Sequence, residues 1–248
     1  VGDNIEIRKH TAIILNNKLH QRVGNRIGEI SSGEACIKVI DKYIPAGAYK
    51  LTVDNVSRLS VGDNIEIRKP VTEKWIKFMK MDNLVRDGKA QTWIKAGKFL
   101  ITERTIAAID GNIITLTVPL IDCYDSNYTD DNTTIVVANN VGRLKQCGVE
   151  NIRIESPAQA VNHSKALYYA LRINGEDCWA KDINAMETME SIGIGGRRIT
   201  LQQVNVIRKA LHQGASKPAE FAPNGGQILL DRCSVEGDNI WFAALGAG

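Results

Sequence analysis

The second half of the chain alternates apolar and polar residues in short, repeating triplets. Ile152-Arg153-Ile154, Ile183-Asn184-Ala185, Val204-Asn205-Val206 and Cys233-Ser234-Val235 follow one another at spacings of 31, 21 and 29 residues. A second apolar strand stands 12 residues before each of the last three: Leu171-Arg172-Ile173, Ile192-Gly193-Ile194 and Phe221-Ala222-Pro223. Each pair is parted by a Gly-bearing corner, Asn174-Gly175-Glu176-Asp177, Gly195-Gly196-Arg197-Arg198 and Asn224-Gly225-Gly226-Gln227. Two columns that keep one internal spacing while tolerating extra loop residues describe a solenoid with insertions at one corner. A coil of 21 residues with short strands and no helical period predicts an all-β chain, a right-handed parallel β-helix. Leucine-rich repeats would show LxxLxL, and a propeller blade needs about 40 residues or more. Coils stacked at about 4.8 Å place Ile152, Ile183, Val204 and Cys233 in one inward ladder and Ile154, Ala185, Val206 and Val235 in the next. Arg153, Asn184, Asn205 and Ser234 then form an outward polar column.

The middle of the chain patterns differently. Leu51, Val53, Val56 and Leu59 lead to a Val61-Gly62-Asp63 turn, after which Ile65 and Ile67 alternate with polar residues. Asp110-Gly111-Asn112 joins two period-2 runs between Ile106 and Leu120, a hairpin signature. Trp75, Phe78 and Met79 fall at i, i+3, i+4, one apolar face of a short helix between Glu73 and Met81. The predicted organisation is an N-terminal segment over 1–42, a small β-rich module with a short helix over 43–120, and parallel β-helix coils over 121–248. Trp75 and Trp93 could make a sugar-stacking platform, but core packing is the expected fate of each. The nonapeptide Val1 to Lys9 recurs letter for letter at Val61 to Lys69 and then diverges, so no domain is repeated. Either a short segment is duplicated or the first copy is an artefact of how the chain was assembled; it is given no function. The strand-like opening at Val1 and a last coil cut near Gly248 read as a fragment of a longer solenoid.

Composition narrows this picture modestly. With 31 Lys+Arg against 28 Asp+Glu the formal net charge is +3, and 44% hydrophobic with 24% charged residues is ordinary globular usage. No apolar run approaches the roughly 20 residues of a membrane span, and residues 1–9 lack the features of a signal peptide. Cys36, Cys123, Cys147, Cys178 and Cys233 show no zinc spacing and are expected as buried thiols. Gly193-Ile194-Gly195-Gly196 lacks the GxGxxG pattern and reads as a solenoid corner. No nucleic-acid-binding module or basic stripe is present.

At Val61-Gly62-Asp63 through Ile67-Arg68-Lys69-Pro70, Trp75-Ile76, Met81-Asp82, Ala108-Ile109-Asp110-Gly111 to Pro119-Leu120, Gly148-Val149-Glu150-Asn151-Ile152 and Cys178-Trp179-Ala180-Lys181-Asp182-Ile183, the chain resembles the pectate-lyase-like superfamily. The resemblance is to bacterial, polysaccharide-lyase-like right-handed parallel β-helix proteins with a small β module inserted ahead of the coils. It implies a carbohydrate-active protein that is secreted, periplasmic or at the cell surface. That superfamily holds lyases, inverting hydrolases and noncatalytic adhesive helices, and fold does not choose among them.

Two insertions, 155–168 and 207–220, leave the same corner and would wall a groove beside the outward column. They carry His163, Lys165 and Tyr168, then Arg208, Lys209, His212 and Lys217, with Arg172 opening the next strand. Uronate β-elimination needs a cation to neutralise the carboxylate and a base to take the adjacent proton. Arg172 or Lys165 is assigned the first role and His163, Tyr168 or His212 the second; Arg208, Lys217, Asn184 and Asn205 are assigned to substrate binding. Solvated basic loops are the competing reading of the same residues. An inverting hydrolase would need two carboxylates about 6.5–9.5 Å apart; Glu187 with Glu190 and Asp182 with Asp231 are the undistinguished candidates. The expected partner is an acidic polysaccharide or oligosaccharide, with no nucleic acid and an undetermined oligomeric state. No cofactor is expected; calcium stays open, though no acidic cluster defines a site.

Overall fold

The structure, a computed structural model, describes residues 11–15, 26–28, 36–138, 143–156, 169–209, 219–237 and 241–243. These fall into two compact units: one gathers 11–15 with the chain from 143 onward, the other the chain from 26 to 138.

The first unit is a right-handed parallel β-helix. Gly148–Glu155, Tyr169–Met186, Ile192–Ile207 and Ala219–Asp231 with Ser234–Glu236 are consecutive coils, all paired in parallel. Their register is the one the triplets predict. Ile152 faces Ile183, which faces Val204; Asn184 faces Asn205, which faces Ser234. Leu171, Ile192 and Phe221 stack in the same way. Ile183, Val204, Val206, Ile192 and Leu171 are fully buried. Each such side chain contributes about 1.5–3 kcal/mol by leaving water, and β-branched residues suit the pleated wall. Two features lie beyond the triplets. Thr11–Leu15 pairs in parallel with the start of Tyr169–Met186, so this piece of the N-terminal segment is a solenoid rung. At the other end, Ala219 pairs in parallel with Trp241 and Phe221 with Ala243.

The coils bend at columns of left-handed residues. Gln146, Asp177, Arg198 and Gln227 stand at one bend with φ of 53°, 55°, 52° and 59°. Asn151, Asp182, Gln203 and Arg232 stand at another with 57°, 53°, 54° and 52°. Arg and Gln rarely adopt this conformation, which the stacked neighbours must therefore hold. Close approach at the corner requires glycine: a Cβ on Gly196, φ 101°, would lie 1.9 Å from the Gly175 carbonyl oxygen one coil away.

The second unit is an antiparallel sheet in the order Ile37–Lys38, Thr134–Val137, Asn64–Pro70, Phe99–Asp110, Ile113–Leu116, Lys50–Thr52. It runs past the 43–120 limits at both ends. The Asp110-Gly111-Asn112 hairpin forms as predicted, with Ile113 opposite Asp110. Ile65, Ile67, Ile106, Ile114 and Ile135 build its core. Glu66 and Arg68, the intervening residues of the central strand, are buried too, which alternation alone does not foresee; Lys69, on the face of Ile65 and Ile67, is also buried. The helix Glu73–Phe78 is capped by Thr72, whose hydroxyl accepts from Trp75 N at 3.1 Å. Its apolar face is not core: only Ile76 is buried, while Phe78 and Met79 are exposed. Trp93, expected in a core, is 74% exposed. The first nonapeptide copy lies outside the described residues; the second supplies the Val61-Gly62 turn and the start of the Asn64–Pro70 strand.

Candidate functional site

Where the first insertion returns to the solenoid, three polar side chains converge on its outer surface. The Arg172 guanidinium carbon lies 3.8 Å from the centre of the Tyr169 ring, a contact in which the ring face attracts the cation. Glu190 Oε2 lies 3.8 Å from Arg172 Nη2, and both side chains are about one-third exposed. Gly193 stands beside Arg172 in the next coil, where a Cβ would fall 2.2 Å from Arg172 Nη1. The missing side chain leaves the space that the guanidinium occupies.

Tyr169 reaches this surface through an irregularity. The N–H groups of Ala170 and Leu171 both donate to the Ser191 carbonyl, at 2.9 and 3.0 Å. Two residues then oppose one, as in a β-bulge. Ala170 and Leu171 both bury, while Tyr169 and Arg172 are left half-exposed. Strict alternation from Leu171 would turn Tyr169 inward, and the sequence reading, which draws its candidates from the 155–168 insertion, stops at Tyr168. Glu190 enters the sequence reading only as a hydrolase candidate beside Glu187; its approach to Arg172 is not foreseen, because it sits in a left-handed turn, φ 45°, outside any strand pattern. The Tyr169 pKa is raised, first by burial and then by Glu190, with Arg172 partly opposing. Its phenol therefore stays protonated at neutral pH and can donate.

The remaining sequence candidates divide sharply. Asn184 and Asn205 line up on the outward column, Asn205 Nδ2 donating to Asn184 Oδ1 at 3.3 Å and Ser234 Oγ donating to Asn205 Oδ1 at 2.7 Å. Arg208 is interior, not on a groove wall. It is 4% exposed, and its guanidinium donates to the Thr188 carbonyl and to Glu220 Oε1 at 2.5 Å. The carboxylate that captures it arrives from the far end of its own insertion, which spacing cannot reveal. His163, Lys165, Tyr168, His212 and Lys217 lie outside the described residues. Both insertions leave one edge, since Glu155 pairs with Met186, Met186 with Ile207 and Ile207 with Glu236.

Several surface carboxylates are already engaged. Glu187 Oε1 accepts from Lys209 N at 2.9 Å, Asp231 Oδ2 from Gln202 Nε2 at 2.9 Å, and Glu150 Oε1 from the Trp179 indole at 2.6 Å. Among the described residues no three His, Cys, Asp or Glu side chains are placed to hold a metal ion, and no helix there is long and apolar enough to cross a membrane.

No family model and no curated protein matches the chain. Among solved structures it is similar to the tailspike of Pseudomonas phage phi297, at TM-score 0.38 and 11% identity over 82% of this chain and 41% of that one. It is similar also to the tailspike of Acinetobacter baumannii bacteriophage AP22, solved in complex with A. baumannii capsular saccharide: TM-score 0.36, 11% identity, 84% of this chain and 38% of that one. A third is the tailspike protein of Pseudomonas phage LKA1, at TM-score 0.34 and 12% identity over 95% and 48%. The chain thus spans less than half the length of each of these proteins.

Proposed function

We propose that this β-helix binds an acidic polysaccharide along its outer surface and cleaves it by β-elimination, in an exported setting. The observation that carries the reading is the Tyr169–Arg172–Glu190 cluster beside the two insertions. A guanidinium packed between a phenol ring and a glycine can offer its donors to a carboxylate, which it meets in bidentate fashion. Pairing the uronate carboxylate with Arg172 acidifies the carbon beside it. A base takes that proton, the carbon–carbon double bond forms, and the bond to the glycosidic oxygen breaks. The Tyr169 phenol donates a proton to the departing oxygen. The base belongs to the insertion side chains His163, His212 or Tyr168, with Lys165 as a second cation, and Asn184 and Asn205 hold sugar hydroxyls. Hydrolysis is less well supported, because Glu187 and Asp231 already accept hydrogen bonds within the fold.

Incubating the protein with a panel of acidic polysaccharides tests this. Unsaturated uronate ends absorb at roughly 235 nm, as elimination requires. Arg172→Ala should remove that signal and Tyr169→Phe should lower kcat by about 100-fold. New reducing ends without absorbance would replace elimination by hydrolysis, and binding without either product would make the solenoid a noncatalytic glycan binder.

A further inference from the structure

The antiparallel unit carries a hollow of its own, of about 420 Å³, walled by the Glu73–Phe78 helix, the Ser126–Thr129 helix and the segment between Asp122 and Asp125. That volume falls in the range of small-molecule sites. Phe78 and Tyr128 lie with ring centres 4.4 Å apart at its rim, and Phe78 remains 58% exposed. Trp75 lies deeper, with the Lys69 ammonium 5.3 Å from its ring centre.

The polar groups of the hollow restrict what could enter. Lys69 is 3% exposed and its ammonium donates to Asp122 Oδ2 at 2.7 Å and to the Cys123 carbonyl at 2.9 Å. That charge is engaged and cannot serve an incoming anion. Asp122, whose side chain is 40% exposed, and Asp125 line the same space; Asp122 Oδ1 accepts from Cys123 N at 2.8 Å and Asp125 Oδ1 from Asn127 N at 2.9 Å, and the second lone pairs of these oxygens are left for a ligand. Ionised carboxylates only accept, so they suit a ligand with hydroxyl donors and repel one with a carboxylate. Aromatic faces suit the C–H face of a ring, and the rim is held in place by contacts between its helices. Thr72 Oγ1 donates to the Tyr128 carbonyl at 2.5 Å, and Lys74 Nζ donates to Asp130 Oδ1 at 2.6 Å.

From this arrangement we infer that the hollow beside Trp75 and Phe78 is a binding site for an uncharged sugar ring, separate from the acid-glycan face of the solenoid. The two sites have opposite charge logic: a cation for a carboxylate on the β-helix, acceptors and aromatic faces for hydroxyls and C–H groups on the module. The inference does not depend on elimination chemistry.

Saturation-transfer NMR on the intact protein tests it, with methyl β-glucoside, methyl β-galactoside and N-acetylglucosamine as probes and glucuronate and tetramethylammonium as competitors. At least one neutral sugar should receive saturation, strongest on its ring C–H protons. Trp75→Ala and Phe78→Ala should each weaken that binding by about tenfold or more, while Arg172→Ala leaves it intact. Phe78 is largely exposed, so its variant keeps the fold, which an unchanged melting temperature checks. The proposal is overturned if no neutral probe receives saturation, if transfer survives in both aromatic variants or is lost in Arg172→Ala, or if glucuronate or tetramethylammonium displaces the sugar. Loss of elimination in Arg172→Ala with sugar binding retained would separate the fates of the two sites.

Discussion

Two carboxylates are almost fully buried in the same solenoid, and their acidities move in opposite directions. Glu176, 3% exposed, sits at the glycine corner and accepts from Arg197 Nη2 at 2.8 Å and Arg198 Nη2 at 2.6 Å. Arg143 and Lys145 approach it at 3.6 and 3.7 Å. Burial alone would push its pKa up, yet the hydrogen bonds and charge of Arg197 and Arg198, with Lys145 behind them, bring it down to about 2. Glu220, fully buried, has Arg208 as its cation and the Ser191 hydroxyl and N–H as further donors. There burial wins and the pKa is raised. Desolvation is the largest single influence at both sites; the number of cations decides which sign survives.

The largest test of this contrast is Glu176→Ala. It leaves the interior guanidiniums of Arg197 and Arg143 without their shared anion, and removing one partner from a buried charge cluster costs about 3–5 kcal/mol. Urea unfolding should show that loss. The pH dependence follows with opposite signs. Because the folded pKa of Glu176 lies below its ordinary 4.5, its contribution is complete above 4.5 and is lost as pH falls through about 2. That contribution amounts to about 3 kcal/mol. Glu220, with a raised folded pKa, imposes a penalty at neutral pH that is relieved as pH falls toward 4.5. Wild-type stability minus that of Glu220→Gln should therefore grow with acidification from neutral pH, whereas wild type minus Glu176→Ala should shrink only below 4.5. At neutral pH Glu220→Gln should cost about 1–2 kcal/mol, less than Glu176→Ala, since the amide oxygen still accepts from Ser191 and Arg208.

The same corners mark what is legible in the sequence. Inward ladders such as Ile183 and Val204 are visible because each coil must fill the same core position at the same spacing. Glu176 and Arg197 face each other in adjacent coils, but nothing in the triplets says that a charged pair is buried there. The Gly-bearing corners are legible, but the left-handed conformation of Arg198 and Gln203 is not, because neither residue type favours it. The Thr11–Leu15 rung is hidden by the module that separates it from Tyr169. At the site Arg172 is legible as an outward strand residue, whereas Tyr169 depends on a bulge and Glu190 on a turn. The exposure of Phe78 is not legible because helical spacing reports an apolar face without reporting what covers it.

The smallest effect separates the cations around Glu176 from one another. Lys145 is nearly as close to Glu176 Oε1 as Arg143 is to Oε2, but its side chain is 47% exposed against 3%. Water and salt screen an exposed ammonium, and such a pair is worth about 0–1 kcal/mol. Lys145→Ala should thus change stability by less than about 0.5 kcal/mol, and raising the salt concentration should erase even that. Glu176→Ala in the Lys145→Ala background should then cost nearly the same as alone, a double-mutant cycle read by urea unfolding. A coupling as large as that of the buried guanidiniums would mean that distance, not burial, sets the corner's charge balance.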